Sequence, residues 1–301
     1  MKKAALIGLG LLLAGALFLI VGGRRLVSSG QARKTFDGQQ AYQDVLYQMS
    51  LGPRIPGSVA HQKIVQWLTA QLSQEGWQVE VQNGTMMGHP IQNVIARKGS
   101  GKPWIILGAH YDSRMWANMD PDPAKRQQPV PGADDGASGV AVLTGLARAI
   151  PAQPDKQTWL VFFDAEDDGG IPGWDWLLGS EYFVNHLACC PTAAVIVDMV
   201  GDANLDIYQE RNSNPQIVQQ IWDQAAQLGF SANFIPQYKY SMEDDHTPFL
   251  QAGIAAVDLI DFDYPYWHTT QDTADKISAN SLYMVGQTLL DWLNPWPSQV
   301  N

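Results

Sequence analysis

Five segments that begin where apolar runs stop carry the residues able to do chemistry. They read Gly108-Ala109-His110-Tyr111-Asp112, Gly132-Ala133-Asp134-Asp135-Gly136, Asp164-Ala165-Glu166-Asp167-Asp168, Val197-Asp198-Met199-Val200-Gly201 and Tyr266-Trp267-His268-Thr269. Three of them follow β-type runs: residues 104–107, 159–163 and 194–197. In an α/β sheet those positions fall at the carboxyl edge of the strands, where ligand sites form. Carboxylates and imidazoles meeting there are the donor types of a zinc site, and a carboxylate beside a cation can serve as a general acid/base.

Each segment also has an ordinary structural reading. Asp134 or Asp135 could cap the helix that follows it. Glu166 to Asp168, next to Gly169-Gly170, could be a solvated acidic loop. His110 and Asp112 could be hydrogen-bonding groups at a strand end, and His268 a packed ring in an aromatic loop. Asp198 ends an apolar strand and is expected to be buried, so it needs a hydrogen bond, a cation or a second acid.

The elements that must position these residues follow from periodicity. Helical spacing predicts helices over residues 41–51, 60–75, 138–150, 181–187, 217–228, 247–251 and 281–293. Strands are expected over 77–82, 90–97, 104–107, 159–163, 194–197, 205–208 and 255–260. Their alternation predicts a three-layer, doubly wound α/β fold with a mainly parallel central sheet flanked by helices. A long loop at residues 114–131, rich in Pro, Asp and Gln, is a candidate functional loop.

Composition narrows the class. Of 301 residues only 19 are Lys or Arg, and the net charge of -11 argues against a nucleic-acid partner. Lys2 and Lys3 precede an apolar run over residues 4–23, and Arg24 and Arg25 follow it. About 20 apolar residues suffice to span a bilayer, whereas a cleaved signal core is usually about 7–15. We therefore expect a membrane anchor or signal segment over residues 1–30, a polar tether over 31–40, and one catalytic domain over 41–297. That domain would be extracytoplasmic, periplasmic or extracellular, and secreted if the segment is cleaved at Ser28-Ser29-Gly30. Cys189 and Cys190 are adjacent, which disfavours a disulfide between them; buried or half-buried packing is expected.

Taken in order, His110-Tyr111-Asp112-Ser113, Gly132-Ala133-Asp134-Asp135, Phe162-Phe163-Asp164-Ala165-Glu166-Asp167, Asp198-Met199-Val200-Gly201, Asp244-Asp245-His246-Thr247-Pro248-Phe249 and Trp267-His268-Thr269 resemble the zinc aminopeptidase (M28) superfamily. Within it they are most similar to the animal-type glutaminyl-peptide cyclotransferases. Arg54-Ile55-Pro56-Gly57-Ser58 and Gly179-Ser180 near Glu181 fit the same branch, so the resemblance covers roughly residues 40–293.

The resemblance implies a zinc-exopeptidase-like fold and one catalytic zinc held by Asp135, Asp167 and His268. It implies Glu166 as general acid/base, Asp198 and Asp245 in a hydrogen-bonded acid network with it, and Trp267 as a wall of the substrate pocket. The implied substrates are peptide or protein N-termini, whose N-terminal glutamine would close to pyroglutamate and release ammonia. Asp167 stands where the family usually has a glutamate; with one methylene fewer, either the loop moves inward or Asp168 takes its place. The alternative within the superfamily is a two-zinc aminopeptidase, with His110 and Asp198 holding a second metal and Asp135 bridging. A non-catalytic membrane-tethered binding domain is a third reading, disfavoured because neither the ligand types nor Glu166 are lost.

Overall fold

The computed structural model describes residues 34–189 and 191–293. The chain divides into residues 1–34 and 35–301, and the second unit carries all the secondary structure among the described residues. The expected membrane segment over residues 1–30 lies outside the described residues. Among the described residues no helix is long and apolar enough to cross a membrane.

Side-chain alternation along the strands builds two cores. Ile105, Leu107 and Ala109 of β3 (Lys102–His110) face one side with Leu160 and Phe162 of β4 (Lys156–Phe163). Val195 and Val197 of β5 (Ala193–Asp198) and Val257 and Leu259 of β8 (Ala255–Ile260) join them. The intervening residues Ile106, Val161, Phe163, Ile196 and Ala256 face the other side. Strands apolar on both faces need cover on both. Helices α1 (Gly38–Leu51), α2 (Val59–Gln74), α3 (Ala137–Ala149), α5 (Pro215–Gln227) and α7 (Ala279–Leu293) supply one layer. Helices α4 (Leu178–Asn185) and α6 (Thr247–Gln251) supply the other.

The six-stranded sheet runs β1-β2-β4-β3-β5-β8. Strands β4, β3, β5 and β8 are mutually parallel, whereas β1 (Gln78–Met86) and β2 (His89–Gly99) add antiparallel pairings at one edge. The sheet is thus mainly parallel, with its antiparallel pairings confined to one edge. The reason is local: Met87 and Gly88 form a two-residue turn with φ of 49° and 86°, the geometry that closes an antiparallel hairpin. From β3 the chain passes to β4 on one side and then to β5 on the other, so a crevice opens beyond the carboxyl ends of these strands.

Three expectations need correction. The packed unit begins before residue 41: Phe36 is buried, and a Cβ on either Gly145 or Gly286 would lie 2.4 Å from its ring. Asp37 then caps α1 by accepting from the Gln40 N–H, so part of the supposed tether is core and helix. Strands β6 (Ile207–Gln209) and β7 (Phe234–Tyr238) form a separate two-stranded sheet, and β7, largely exposed, has no apolar period to announce it. Cys189 is exposed, not packed.

Candidate metal centre and substrate cavity

Each chemically competent segment reaches the crevice through a backbone feature that its neighbours enforce. His110 is the last residue of β3 and Asp198 the last of β5. Asp135 sits in the turn before α3, where Gly136 has φ of 91° and a Cβ would lie 2.5 Å from the Asp112 carbonyl oxygen. Neither Asp134 nor Asp135 caps α3, whose N-cap is Gly136 without a side-chain bond. Asp134 Oδ1 instead accepts from the Gly201 N–H (2.7 Å), and Asp272 accepts from the N–H groups of both Asp134 (2.8 Å) and Asp135 (3.2 Å). After β4, Ala165 takes φ of 52°, and the N–H groups of Glu166 and Asp167 donate to Asp112 at 3.2 and 3.3 Å. Met199 and His268 also have positive φ, 42° and 54°. Left-handed backbone at non-glycine residues is uncommon and gathers at functional sites.

These features bring Asp135, Asp167 and His268 together. His268 Nε2 lies 2.9 Å from Asp167 Oδ1 and 3.7 Å from Asp135 Oδ2, and one donor atom from each of the three falls within 4.8 Å of the others. On the opposite side of Asp135, its Oδ1 lies 3.2 Å from His110 Nε2, which also reaches Asp198 Oδ1 at 3.1 Å. Asp135 therefore belongs to both groups of potential metal ligands among the described residues.

The donor set fits a zinc ion. Asp135 Oδ2 and Asp167 Oδ2 are buried without a hydrogen-bond partner, a costly arrangement for two neighbouring carboxylates unless a cation joins them. Burial, against the pull of Asp135, lowers the His268 pKa to about 3, so its imidazole is neutral, the form that binds metal. Burial and then the Asp135 charge push Asp167 well above the usual carboxylate range, with Arg114 opposing. At His110 burial opposes the charge, but Asp198 and hydrogen bonds to Asp112 and Asp135 hold its pKa well above the ordinary histidine value. Asp168 does not stand in for Asp167: its Oδ1 accepts from the Met115 N–H (2.8 Å).

Glu166 and Asp198 share a cavity of about 180 Å³ with this trio, walled by Trp176, Phe262 and Trp267. Burial, opposed by His110 and reinforced by Asp167, Asp244 and Asp245, raises the Glu166 pKa well above normal. Burial likewise brings Asp198 to about 7, with His110 opposing. The expected network partner Asp245 is corrected here, because Asp244 is the residue that lines the cavity. Asp245 is fully buried, neither of its carboxylate oxygens has a hydrogen-bond partner, and its N–H donates to the Asp244 carboxylate. Two adjacent aspartates at an irregular helix entry carry no periodicity that tells which one faces inward.

Sequence reasoning did not single out Trp176, Phe262, Asp244 or Asp272. Trp176 lay in a glycine-rich loop whose composition reads only as irregular. Arg54 belongs to the Arg54-Ile55-Pro56-Gly57-Ser58 motif, whose sequence does not announce its contacts. Its guanidinium donates to the carbonyls of Tyr111 (2.9 Å), Pro131 (3.1 Å) and Gly132 (2.6 Å), which ties the Asp135 turn to the end of β3.

A mixed sheet with helices on both faces, and a cavity of paired acids and histidines beyond its strand ends, defines a zinc-exopeptidase-like α/β protein. The chain belongs to peptidase family M28, whose family model matches residues 93–293. It is similar to the solved glutaminyl cyclase of Bacteroides thetaiotaomicron bound to N-acetylhistamine, at 31% identity over 88% of this chain and 99% of that one, with a TM-score of 0.83. A leucine aminopeptidase precursor from the same organism matches equally, at 31% identity, 88% and 99% coverage and a TM-score of 0.83. The glutaminyl-peptide cyclotransferase of Gloydius blomhoffii is 26% identical over 297 residues, covering 80% of this chain and 78% of that protein.

Proposed function

We propose that this protein is a glutaminyl-peptide cyclotransferase that converts N-terminal glutamine of peptides or proteins to pyroglutamate and releases ammonia. The observation that carries this reading is the convergence of Glu166 with Asp135, Asp167 and His268 on one small aromatic-walled cavity. At about 180 Å³ it falls below the roughly 300 Å³ typical of larger ligand sites, and suits a single side chain folded back on its own amine. The similarity to solved and curated glutaminyl cyclases supports the same conclusion.

Asp135, Asp167 and His268 would hold one zinc ion, which would supply Lewis-acid polarisation of the substrate γ-carboxamide carbonyl. Trp176, Phe262 and Trp267 hold the glutamine side chain beside its α-amine and exclude water, so two groups of one molecule meet without a bimolecular cost. Glu166 accepts a proton from the α-amine as its nitrogen bonds to the side-chain carbonyl carbon. The same carboxyl then returns that proton to the departing amide nitrogen, which leaves as ammonia. Asp198 and Asp244 line the same cavity, and the Asp244 charge helps to hold the Glu166 pKa up. We further propose that residues 4–23 anchor the domain to a membrane with the catalytic part extracytoplasmic, as their unbroken apolar length supports.

One observation favours a second reading. His110, Asp135 and Asp198 form a further group of potential ligands, so a second zinc and aminopeptidase activity would be the alternative. Incubation with Gln-Ala and Leu-Ala dipeptides separates the two by mass spectrometry. Loss of ammonia from the first with the second intact is expected; splitting of Leu-Ala without cyclisation of Gln-Ala would overturn the proposal.

A further inference from the structure

The loop that carries Asp167 is held at its N–H groups by Asp112 and at its carbonyls by Arg114. Arg114 is buried within the fold, and its guanidinium is shared among four groups. Nε donates to Asn118 Oδ1 (2.6 Å), Nη2 to the Gly169 carbonyl (3.0 Å) and Nη1 to the Asp167 carbonyl, with Asp167 Oδ1 3.6 Å from Nη1. The guanidinium carbon lies 4.9 Å from the centre of the Trp176 ring. Trp176 in turn lies parallel to His268, with centroids 6.1 Å apart and planes 12° apart. A Cβ on Gly169 would lie 2.0 Å from the indole, so Trp176 is seated on the same short stretch of backbone that Arg114 holds. One side chain thus grips the backbone of one acid of the trio and backs the ring that lies against its histidine.

We infer that Arg114 is a positioning residue for the metal centre: its planar fork draws the loop of residues 167–169 inward so that the short side chain of Asp167 meets His268 and Asp135. Residue type matters here. An arginine presents donors in a rigid plane that can serve two carbonyls and a carboxylate together, whereas a lysine is a single flexible point charge. Asn118, exposed at its own position, orients that fork from behind. The inference rests on Asp135, Asp167 and His268 being the ligands.

The test titrates zinc into chelator-stripped protein against a competing fluorescent chelator, for the parent chain and for Arg114→Lys, Asn118→Ala and Asp167→Asn. Thermal midpoints of the metal-free forms are taken alongside. Arg114→Lys should bind zinc about 10–100-fold more weakly, the range for groups that orient metal ligands, and should alter the visible spectrum of the cobalt-loaded protein. Asn118→Ala should weaken zinc by a smaller factor while leaving the metal-free midpoint unchanged. A folded Arg114→Lys protein with zinc affinity within twofold of the parent overturns the inference. If that variant does not fold, undiminished zinc affinity in Asn118→Ala does so. Asp167→Asn binding zinc as tightly as the parent would instead overturn the ligand assignment and this inference with it. Zinc lost by Asp167→Asn but kept by Arg114→Lys overturns the inference alone.

Discussion

Trp267 and His268, adjacent in the chain, lie face to face with ring centroids 3.7 Å apart and planes 25° apart. Neighbouring side chains normally diverge, and the left-handed φ of 54° at His268 is what folds them together. Trp267 also meets Phe262 edge to face at 5.0 Å, so the ring is braced from a second side. Trp267→Ala removes both a cavity wall and the flat support of a proposed ligand. It should raise KM for a Gln-initiated peptide by about tenfold or more, in line with a lost aromatic anchor. An unchanged KM in steady-state ammonia release would mean that Trp267 does not bound the substrate.

Glu166→Gln keeps the shape of the side chain but cannot carry a proton. The variant should fold, retain zinc and lose about 10²–10⁴-fold in kcat, the usual contribution of a general acid/base. Ammonia release at near-parental rate would remove Glu166 from its assigned role.

Metal content distinguishes the two readings of the site. One zinc per chain is expected by elemental analysis, with activity lost to a chelator and restored by one equivalent. About two per chain, with His110→Gln reducing the count, would point to the aminopeptidase arrangement. Asp168→Asn should leave zinc binding unchanged, because its carboxylate is turned to Met115.

Acid stability should depend on Glu210, outside the metal centre. Burial opposes its charge, but the nearby His246, whose Nε2 lies 3.5 Å from Oε2, and hydrogen bonds from the N–H groups of Asn212 and Met242 lower its pKa from 4.5 to about 2. A carboxylate with a depressed folded pKa contributes stability above its unfolded value and loses it as pH falls through the folded one. Glu210→Gln should therefore cost on the order of 2 kcal/mol, allowing for screening, at neutral pH. The gap from the parent should narrow between about pH 4.5 and pH 2. Urea midpoints at pH 6 and pH 3 measure this, and a gap that widens toward acid would contradict the assignment.

The cavity mouth carries Glu243, which is exposed and close enough to Glu181 to act on it together with Asp175. These acids should favour substrates with a basic residue just after the glutamine. At low salt Glu243→Gln should raise KM for Gln-Lys peptides by a few-fold and leave Gln-Leu peptides unaffected, with the difference fading at high salt.

Much of this protein could be read from its residues in order. Apolar runs followed by Asp or His located β3, β4, β5 and β8, because a buried parallel strand is apolar along most of its length and its polar residues gather where it emerges, Asp258 within β8 being an exception. The same rule placed His110, Asp198, Glu166 and Asp167 at one edge of the sheet, and Asp135 and His268 joined them through the resemblance. What linear order does not carry is side-chain direction outside regular elements. That Asp244 rather than Asp245 lines the cavity, and that Asp168 accepts from the Met115 N–H instead of joining Asp167, appears only in the folded chain. Nor does any local pattern mark Arg114, Arg54 or Asp272. Their roles consist of hydrogen bonds to backbone far along the chain, and such bonds exist only once the tertiary fold has brought those segments within 3 Å or so of one another.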